Sequence, residues 1–147
     1  MIVLDANIII RAVLGRRVRQ IIESWSAQGV RFFAPDDAFA DAERYLPLLL
    51  AKRNQLESEA KSAVEYLRLK IEAVDADTYA QFQDEARQRL SRRDEEDWPV
   101  LAAALALSCP VWTEDADFFG TGVAVWTTSR VQIYLKARAA EHASHQE

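Results

Sequence analysis

Short apolar runs alternate along this chain with longer segments in which apolar residues recur at helical spacing. This alternation restricts the fold more than any other feature. The strand-like runs lie at residues 2–4, 30–34, 71–74, 111–112 and 123–126, and helical patterns cover residues 7–14, 18–29, 39–49, 56–67, 79–90, 97–107 and 129–140. Strands that alternate with helices are typical of an α/β domain with a mainly parallel central sheet.

Local signals refine the predicted helices. Asn7 is a candidate N-cap for the first of them. Pro47 lacks the N–H that would bond to the carbonyl of Glu43, so we expect a kink or a break beside Glu43. The segment 97–107 is apolar on nearly every face, which indicates a central helix packed against the sheet.

Length and composition indicate one domain. The chain has 147 residues and is 50% hydrophobic, enough for one sizeable core. We expect a single domain over residues 1–140 and a frayed tail over residues 141–147. Cys109 is the one cysteine, so no internal disulfide is expected. The chain starts without a basic leader segment and has no stretch of membrane-helix length, which predicts a cytoplasmic protein without a membrane partner.

Four acidic residues fall where the predicted elements begin or end. Asp5 follows the first strand, Asp97 opens the central helix, and Asp115 lies just after residues 111–112, whereas Glu43 lies inside an early helix. Ligands in open α/β sheets bind beyond the carboxyl ends of the strands. A cluster of buried carboxylates there requires protons or cations, and a hard divalent ion such as Mg²⁺ or Mn²⁺ prefers oxygen ligands. The pattern therefore points to metal-dependent phosphodiester chemistry.

Each acid also has an ordinary structural interpretation. Asp5 and Asp115 fit turns or loops, Glu43 fits an exposed helix face, and Asp97 fits a helix N-terminus, where carboxylates are favoured. The net charge of −5 by itself argues against a nucleic-acid ligand, although bound cations would invert the local potential. Basic clusters occur at residues 16–19, 52–53 and 92–93, and each suits either the rim of a cleft or a solvated helix face.

Taken together, these residues resemble a PIN-domain nuclease. The resemblance is carried by residues 4–7 (Leu-Asp-Ala-Asn), by Glu43, by Asp97 before an Ala- and Leu-rich helix, and by residues 112–118 (Trp-Thr-Glu-Asp-Ala-Asp-Phe). It spans essentially the whole chain. Asp97 and Asp115 are 18 positions apart, which agrees with the usual arrangement of that family.

The resemblance implies a three-layer fold and a set of functional residues. Asp5, Glu43, Asp97 and Asp115 would bind Mg²⁺ or Mn²⁺ and carry catalysis. The resemblance also implies polar supports and additional acids, namely Asn7, Thr113, Asp94 and Asp117. Small members of the family are similar to VapC-type toxins, ribonucleases that a partner antitoxin restrains. RNA is therefore the expected substrate, and an antitoxin protein and a second copy of the chain are candidate partners.

Two competing functions stay open at this point. One is an interaction module with the same fold and no catalysis, in which the acids serve as caps and surface charge. The other is a metal-dependent phosphatase that acts on small esters with the same carboxylates. The sequence disfavours other chemistries, because His142 and His145 are the only histidines and no glycine-rich phosphate loop or Gly-x-Ser-x-Gly motif occurs.

Overall fold

A five-stranded parallel sheet forms the centre of the molecule. The computed structural model describes residues 1–55 and 57–145. Its strands are β1 (Ile2–Leu4), β2 (Phe32–Pro35), β3 (Ile71–Val74), β4 (Val111–Trp112) and β5 (Val125–Trp126), and their order in the sheet is β3-β2-β1-β4-β5. Every pair of neighbours is parallel. The predicted α/β fold with a parallel sheet is confirmed.

Helices cover both faces of this sheet. They are α1 (Ala6–Leu14), α2 (Arg17–Ser26), α3 (Asp36–Lys52), α4 (Glu57–Arg68), α5 (Ala76–Tyr79), α6 (Gln83–Arg89), α7 (Trp98–Leu107) and α8 (Val131–His145), with 3-10 turns at Ala80–Phe82, Glu95–Asp97 and Ala116–Phe118. In the described part of the chain, every helix falls short of a membrane span in length, in apolar content or in both.

The pleat of β1 divides the core into two. Ile2 and Leu4 face one cluster, which contains buried residues of α1, α2, α3, α4 and α8. Val3 faces the other cluster, which contains buried residues of α6 and α7. Successive residues of a strand point to opposite faces, so this short apolar strand is buried on both sides. The result is a three-layer arrangement of helices, sheet and helices.

Two local predictions about the early helices need correction. Asp5, not Asn7, caps α1, because one of its carboxylate oxygens accepts a hydrogen bond from the backbone N–H of Ile8 at 3.0 Å. The break that was one of the two outcomes expected at Pro47 does not occur, because helix α3 runs from Asp36 to Lys52 through the proline. Buried Leu46 and Leu50 hold both sides of the proline against the core, which offsets the single hydrogen bond that it removes.

Two predictions about later elements also differ from the structure. The helical pattern at residues 79–90 is divided into α5, a 3-10 turn and α6. The apolar side chains of Tyr79 and Phe82 are three apart, and a 3-10 turn keeps such residues on one face. Helix α8 continues through residues 141–145, which were expected to be frayed, and Glu141 there pairs with Arg138 at 2.6 Å. Leu56, the expected start of the fourth helix, and residues 146–147 of the expected tail lie outside the described residues.

Candidate metal centre

The site lies where the strand order of the sheet reverses. From β1 the chain proceeds to β2 and β3 on one side, and β4 then joins the opposite edge of β1. Leu4 of β1 is in register with Trp112 of β4, so the residues that follow these two strands lie side by side. This is the position at which open parallel sheets form a ligand crevice.

Asp5 forms the floor of the crevice. Its side chain is only 6% exposed, and it accepts hydrogen bonds from the N–H of Ile8 and from the hydroxyl of Thr113. Burial raises the pKa of Asp5 to about 6, although these two hydrogen bonds oppose the rise. The carboxyl group is therefore held in place at a position where a negative charge is costly without a cation.

Thr113 connects Asp5 with the loop after β4. Its buried hydroxyl oxygen also accepts a hydrogen bond from the backbone N–H of Asp115 at 2.9 Å. A carboxylate oxygen of Asp115 in turn accepts the N–H of Asp117 at 2.9 Å, which starts the 3-10 turn Ala116–Phe118. The side chains of Thr113 and Asp115 thus fix the loop that carries two of the predicted acids.

Asp97 approaches the same loop from the turn before α7. Burial, together with the negative charges of Asp94 and Asp115, raises the pKa of Asp97 to about 7. Asp97 also forms a side-chain hydrogen bond with Asp115, which favours its protonated form. Carboxylate oxygens of Asp97, Asp115 and Asp117 all lie within 4.8 Å of one another, and the three residues are half-buried. We call Asp5 together with these three the aspartate cluster.

An acid-rich pocket of about 810 Å³ opens above this cluster. Its charged lining residues are seven acids and one arginine: Asp5, Asp37, Asp41, Asp94, Glu96, Asp97, Asp115 and Arg44. Asn7 also lines the pocket with its polar amide. Repulsion among so many carboxylates favours either protons or a bound cation.

The donor set fits a divalent cation. Among the described residues, no lysine or arginine forms an ion pair with any member of the aspartate cluster. Asp117 contributes a carboxylate oxygen close to Asp97 and Asp115, while its backbone carbonyl accepts a hydrogen bond from Arg93. An all-oxygen set of carboxylates is the ligand chemistry of Mg²⁺ and Mn²⁺. The cluster can therefore bind a metal.

Glu43 does not join this pocket. It lies two positions beyond Asp41 on α3, and residues two apart on a helix point in different directions. Its carboxylate pairs with Arg68 of α4 at 2.8 Å and lines a separate cavity between these helices. Asp41 instead lines the acid-rich pocket, where it pairs with Arg44.

Asp41 and Asp37 are pocket residues that the sequence analysis missed. They are four positions apart and therefore share one face of α3, the face that lines the acid-rich pocket. This spacing, directly after the second strand, was visible in the sequence. Burial and the negative charges of Asp41 and Asp36 raise the pKa of Asp37, which is a consequence of the crowding of carboxylates on this wall of the pocket.

Asp94, the remaining candidate, lies at the edge of the aspartate cluster. Asp94 lines the pocket and caps the turn before α7, because its carboxylate accepts the N–H of Glu96 at 3.0 Å. Its own N–H points to a carboxylate oxygen of Asp117 at 3.5 Å. These contacts link the approach to α7 with the loop after β4.

Comparison with family models places the chain among known proteins. Residues 3–136 match the model of a family described as PIN domain. The matched range includes the aspartate cluster and most of the described fold. No curated protein matches the chain.

Proposed function

The chain belongs to the PIN-domain family, a family of nucleases, and on this premise we propose that it is a Mg²⁺- or Mn²⁺-dependent endoribonuclease. The family assignment confirms the resemblance that the sequence suggested. The observation that carries the proposal is the aspartate cluster, in which three carboxylates lie within 4.8 Å of one another beside buried Asp5.

We assign separate roles to the residues of the site. Asp5, Asp97 and Asp115 hold the cation, and Asp117 supplies a further carboxylate next to them. Thr113 fixes the first and third of these through its hydroxyl group. A divalent ion held by these carboxylates would supply positive charge for the phosphodiester transition state and would lower the pKa of an attacking water.

The surrounding residues complete the site. Asn7 presents an amide to the pocket and can hydrogen-bond a phosphate or ribose oxygen. Asp41 takes the position on α3 that the sequence analysis assigned to Glu43, and Asp94 positions the turn that carries Asp97. Asp5 and Asp97 must both ionise before they bind a cation, so the proposal includes an activity that rises with pH.

The choice of RNA and the toxin role rest on the similarity to VapC-type toxins. We propose that an antitoxin protein restrains the ribonuclease and that the chain acts as a homodimer. The acid-rich pocket suits a cationic side chain of such an inhibitor, since one arginine there faces seven acids. Induced expression of the toxin in a bacterium should arrest growth, and the Asp97→Asn protein should not. Normal growth with the active protein would contradict the toxin role.

The nuclease proposal is tested with a panel of labelled RNAs, DNAs and small phosphate esters. Each substrate is incubated with Mn²⁺ or with chelator. Asp97→Asn is the test variant, and Asp84→Asn, which changes an exposed aspartate on α6, is the matched control. We expect internal cleavage of RNA that requires metal, survives in the control and disappears in Asp97→Asn. Turnover of small esters alone would indicate a phosphatase, and intact substrates throughout would favour a non-catalytic module.

A further inference from the structure

A second cleft, rich in arginine, lies beside the acid-rich pocket. It has a volume of about 400 Å³ and lies between the α1–α2 turn and the segment before α8. Its polar and charged lining residues are Arg11, Arg16, Arg17, Glu114, Thr128 and Ser129. We call it the arginine cleft.

The three arginines of this cleft carry unused binding capacity. Arg11, Arg16 and Arg17 are exposed. In the described part of the chain, their guanidinium groups make no hydrogen bond and no ion pair within 4 Å. Most other arginines of the molecule do form such contacts, for example Arg68 with Glu43. Three guanidinium groups in one cleft, in a chain of net charge −5, form a local site for an anion.

Glu114 shapes the cleft without neutralising it. Its carboxylate accepts the backbone N–H of Thr128 at 2.6 Å, and this contact fixes the opposite wall. Glu114 is the one acidic residue among the described residues that line the cleft. The lining therefore carries three positive charges and one negative charge. The hydroxyl groups of Thr128 and Ser129 add neutral hydrogen-bonding capacity.

The arginine cleft and the acid-rich pocket are directly adjacent. Glu114 lines the cleft and Asp115, the next residue, lines the pocket. On α1, Ile10 lines the pocket and Arg11 lines the cleft. Arg11 lies six positions after Asp5, the N-cap of α1, which corresponds to about 9 Å along the helix axis. One extended ligand can therefore contact both sites.

We propose that the arginine cleft binds a backbone phosphate of the RNA strand, next to the phosphate that is cleaved in the acid-rich pocket. This inference rests on the proposed function, because it takes RNA as the substrate. The arginine cleft would supply the positive surface that an acidic ribonuclease needs to hold RNA. Arginine forks match phosphate oxygens in bidentate geometry. A protein partner with an acidic segment is the competing ligand. Among the described residues that line the cleft, Val18 is the one apolar side chain, and none has an aromatic side chain of the kind enriched in the hot spots of protein interfaces.

The test compares charge variants by their RNA binding in chelator, where no cleavage occurs. The probe is a labelled single-stranded RNA, titrated at several salt concentrations. In the test variant Arg11, Arg16 and Arg17 are all changed to Gln. In the control variant Lys52, Arg53 and Lys136, three exposed basic residues outside the cleft, are changed to Gln and remove the same charge. A third variant carries Lys at the three cleft positions and preserves the charge.

The salt dependence provides the decisive readout. Each phosphate contact to single-stranded nucleic acid contributes about 0.7 to the slope of log K against log salt. Loss of this one phosphate contact should therefore lower the slope of the test variant by about 0.7 and its affinity about 10-fold. The control variant should change affinity by less than about threefold, and the Lys variant should keep most of the slope. Equal behaviour of the test and control variants would overturn the proposal. RNA binding too weak to detect, with retained binding of a poly-glutamate peptide, would also overturn it and would assign the cleft to an acidic protein.

The two proposals fail in distinguishable ways. If the native protein binds RNA through the cleft but does not cleave it with Mn²⁺, the nuclease proposal fails and the cleft proposal stands. If the native protein cleaves RNA and the test variant binds and cleaves it as the control variant does, the cleft proposal fails and the nuclease proposal stands. Because all three arginines are exposed, the melting temperatures of the test and control variants should match.

Discussion

Replacement of Asp5 by Asn should stabilise the metal-free protein at alkaline pH. Burial raises the pKa of Asp5 from its ordinary value of 3.8 to about 6. The folded state therefore holds this proton more tightly than the unfolded state does. The resulting stabilisation is fully present below pH 3.8 and is lost as the pH rises through 6. At pH 8, an ionised Asp5 costs the folded protein about 3 kcal/mol.

Asn at this position removes the charge and keeps an oxygen for the N–H of Ile8. The contact with the hydroxyl of Thr113 changes, and one altered hydrogen bond offsets about 1 kcal/mol. We therefore expect Asp5→Asn to raise the free energy of unfolding by about 2 kcal/mol at pH 8 in chelator, and to raise it far less at pH 4.5. Asp84→Asn, an exposed change, should stay within about 0.5 kcal/mol of the native protein at both values.

Urea denaturation followed by circular dichroism measures these differences. The same experiment with millimolar Mn²⁺ should reverse the order, because metal stabilises only a protein that binds it, and Asp5→Asn has lost a ligand. An Asp5→Asn protein that is less stable than the native one at pH 8 in chelator would refute the electrostatic argument. So would a gain of stability that is the same at pH 4.5 and pH 8.

Three further predictions concern activity and metal binding. Metal-dependent cleavage should rise with pH, reach half of its maximum near pH 7 and level off about one unit higher, because Asp97, with its pKa near 7, must lose its proton to bind a cation. A rate that is flat from pH 5.5 to 8 would argue against this assignment. In the same cleavage assay, Asp41→Asn should lower the rate about 10-fold, whereas Glu43→Gln should leave it within about twofold, since only the first lines the acid-rich pocket. A larger loss of rate in Glu43→Gln than in Asp41→Asn would restore Glu43 as the metal ligand on α3. Thr113→Val should weaken Mn²⁺ binding about 10-fold or more, because the buried hydroxyl group of Thr113 donates a hydrogen bond that orients the Asp5 carboxylate. Isothermal titration calorimetry measures this affinity. An unchanged Mn²⁺ affinity would show that Thr113 does not position Asp5 for metal binding.

The sequence predicted the sheet well because its strands are short, mainly apolar and bounded by turn residues. Ile2–Leu4, Ile71–Val74 and Val111–Trp112 have the predicted bounds. Helix interruptions were harder to predict. The effect of Pro47 depends on how firmly buried Leu46 and Leu50 hold the helix, and that packing involves residues distant in sequence.

The acidic site was predictable to the extent that it depends on strand ends. Asp5 and Asp115 follow strands that lie next to each other, and the sequence alone indicated both. The sequence did not show which acid of α3 faces the site. A helix turns by about 100° per residue, so the choice between positions 41 and 43 depends on which face of the helix is buried. Phe39, Ala42 and Leu46 form that buried face. With this face against the core, Asp41 lines the acid-rich pocket and Glu43 pairs with Arg68.

Direct measurement of metal binding tests the central claim, that the aspartate cluster is a divalent-metal site. Mn²⁺ is titrated into the native protein, Asp97→Asn and Asp84→Asn at pH 8, and free Mn²⁺ is followed by electron paramagnetic resonance. We expect saturable binding to the native protein and to Asp84→Asn, with affinity reduced by about 10-fold or more in Asp97→Asn. Equal Mn²⁺ binding by all three proteins, or no saturable binding by the native protein, would contradict the assignment of the cluster as the metal centre.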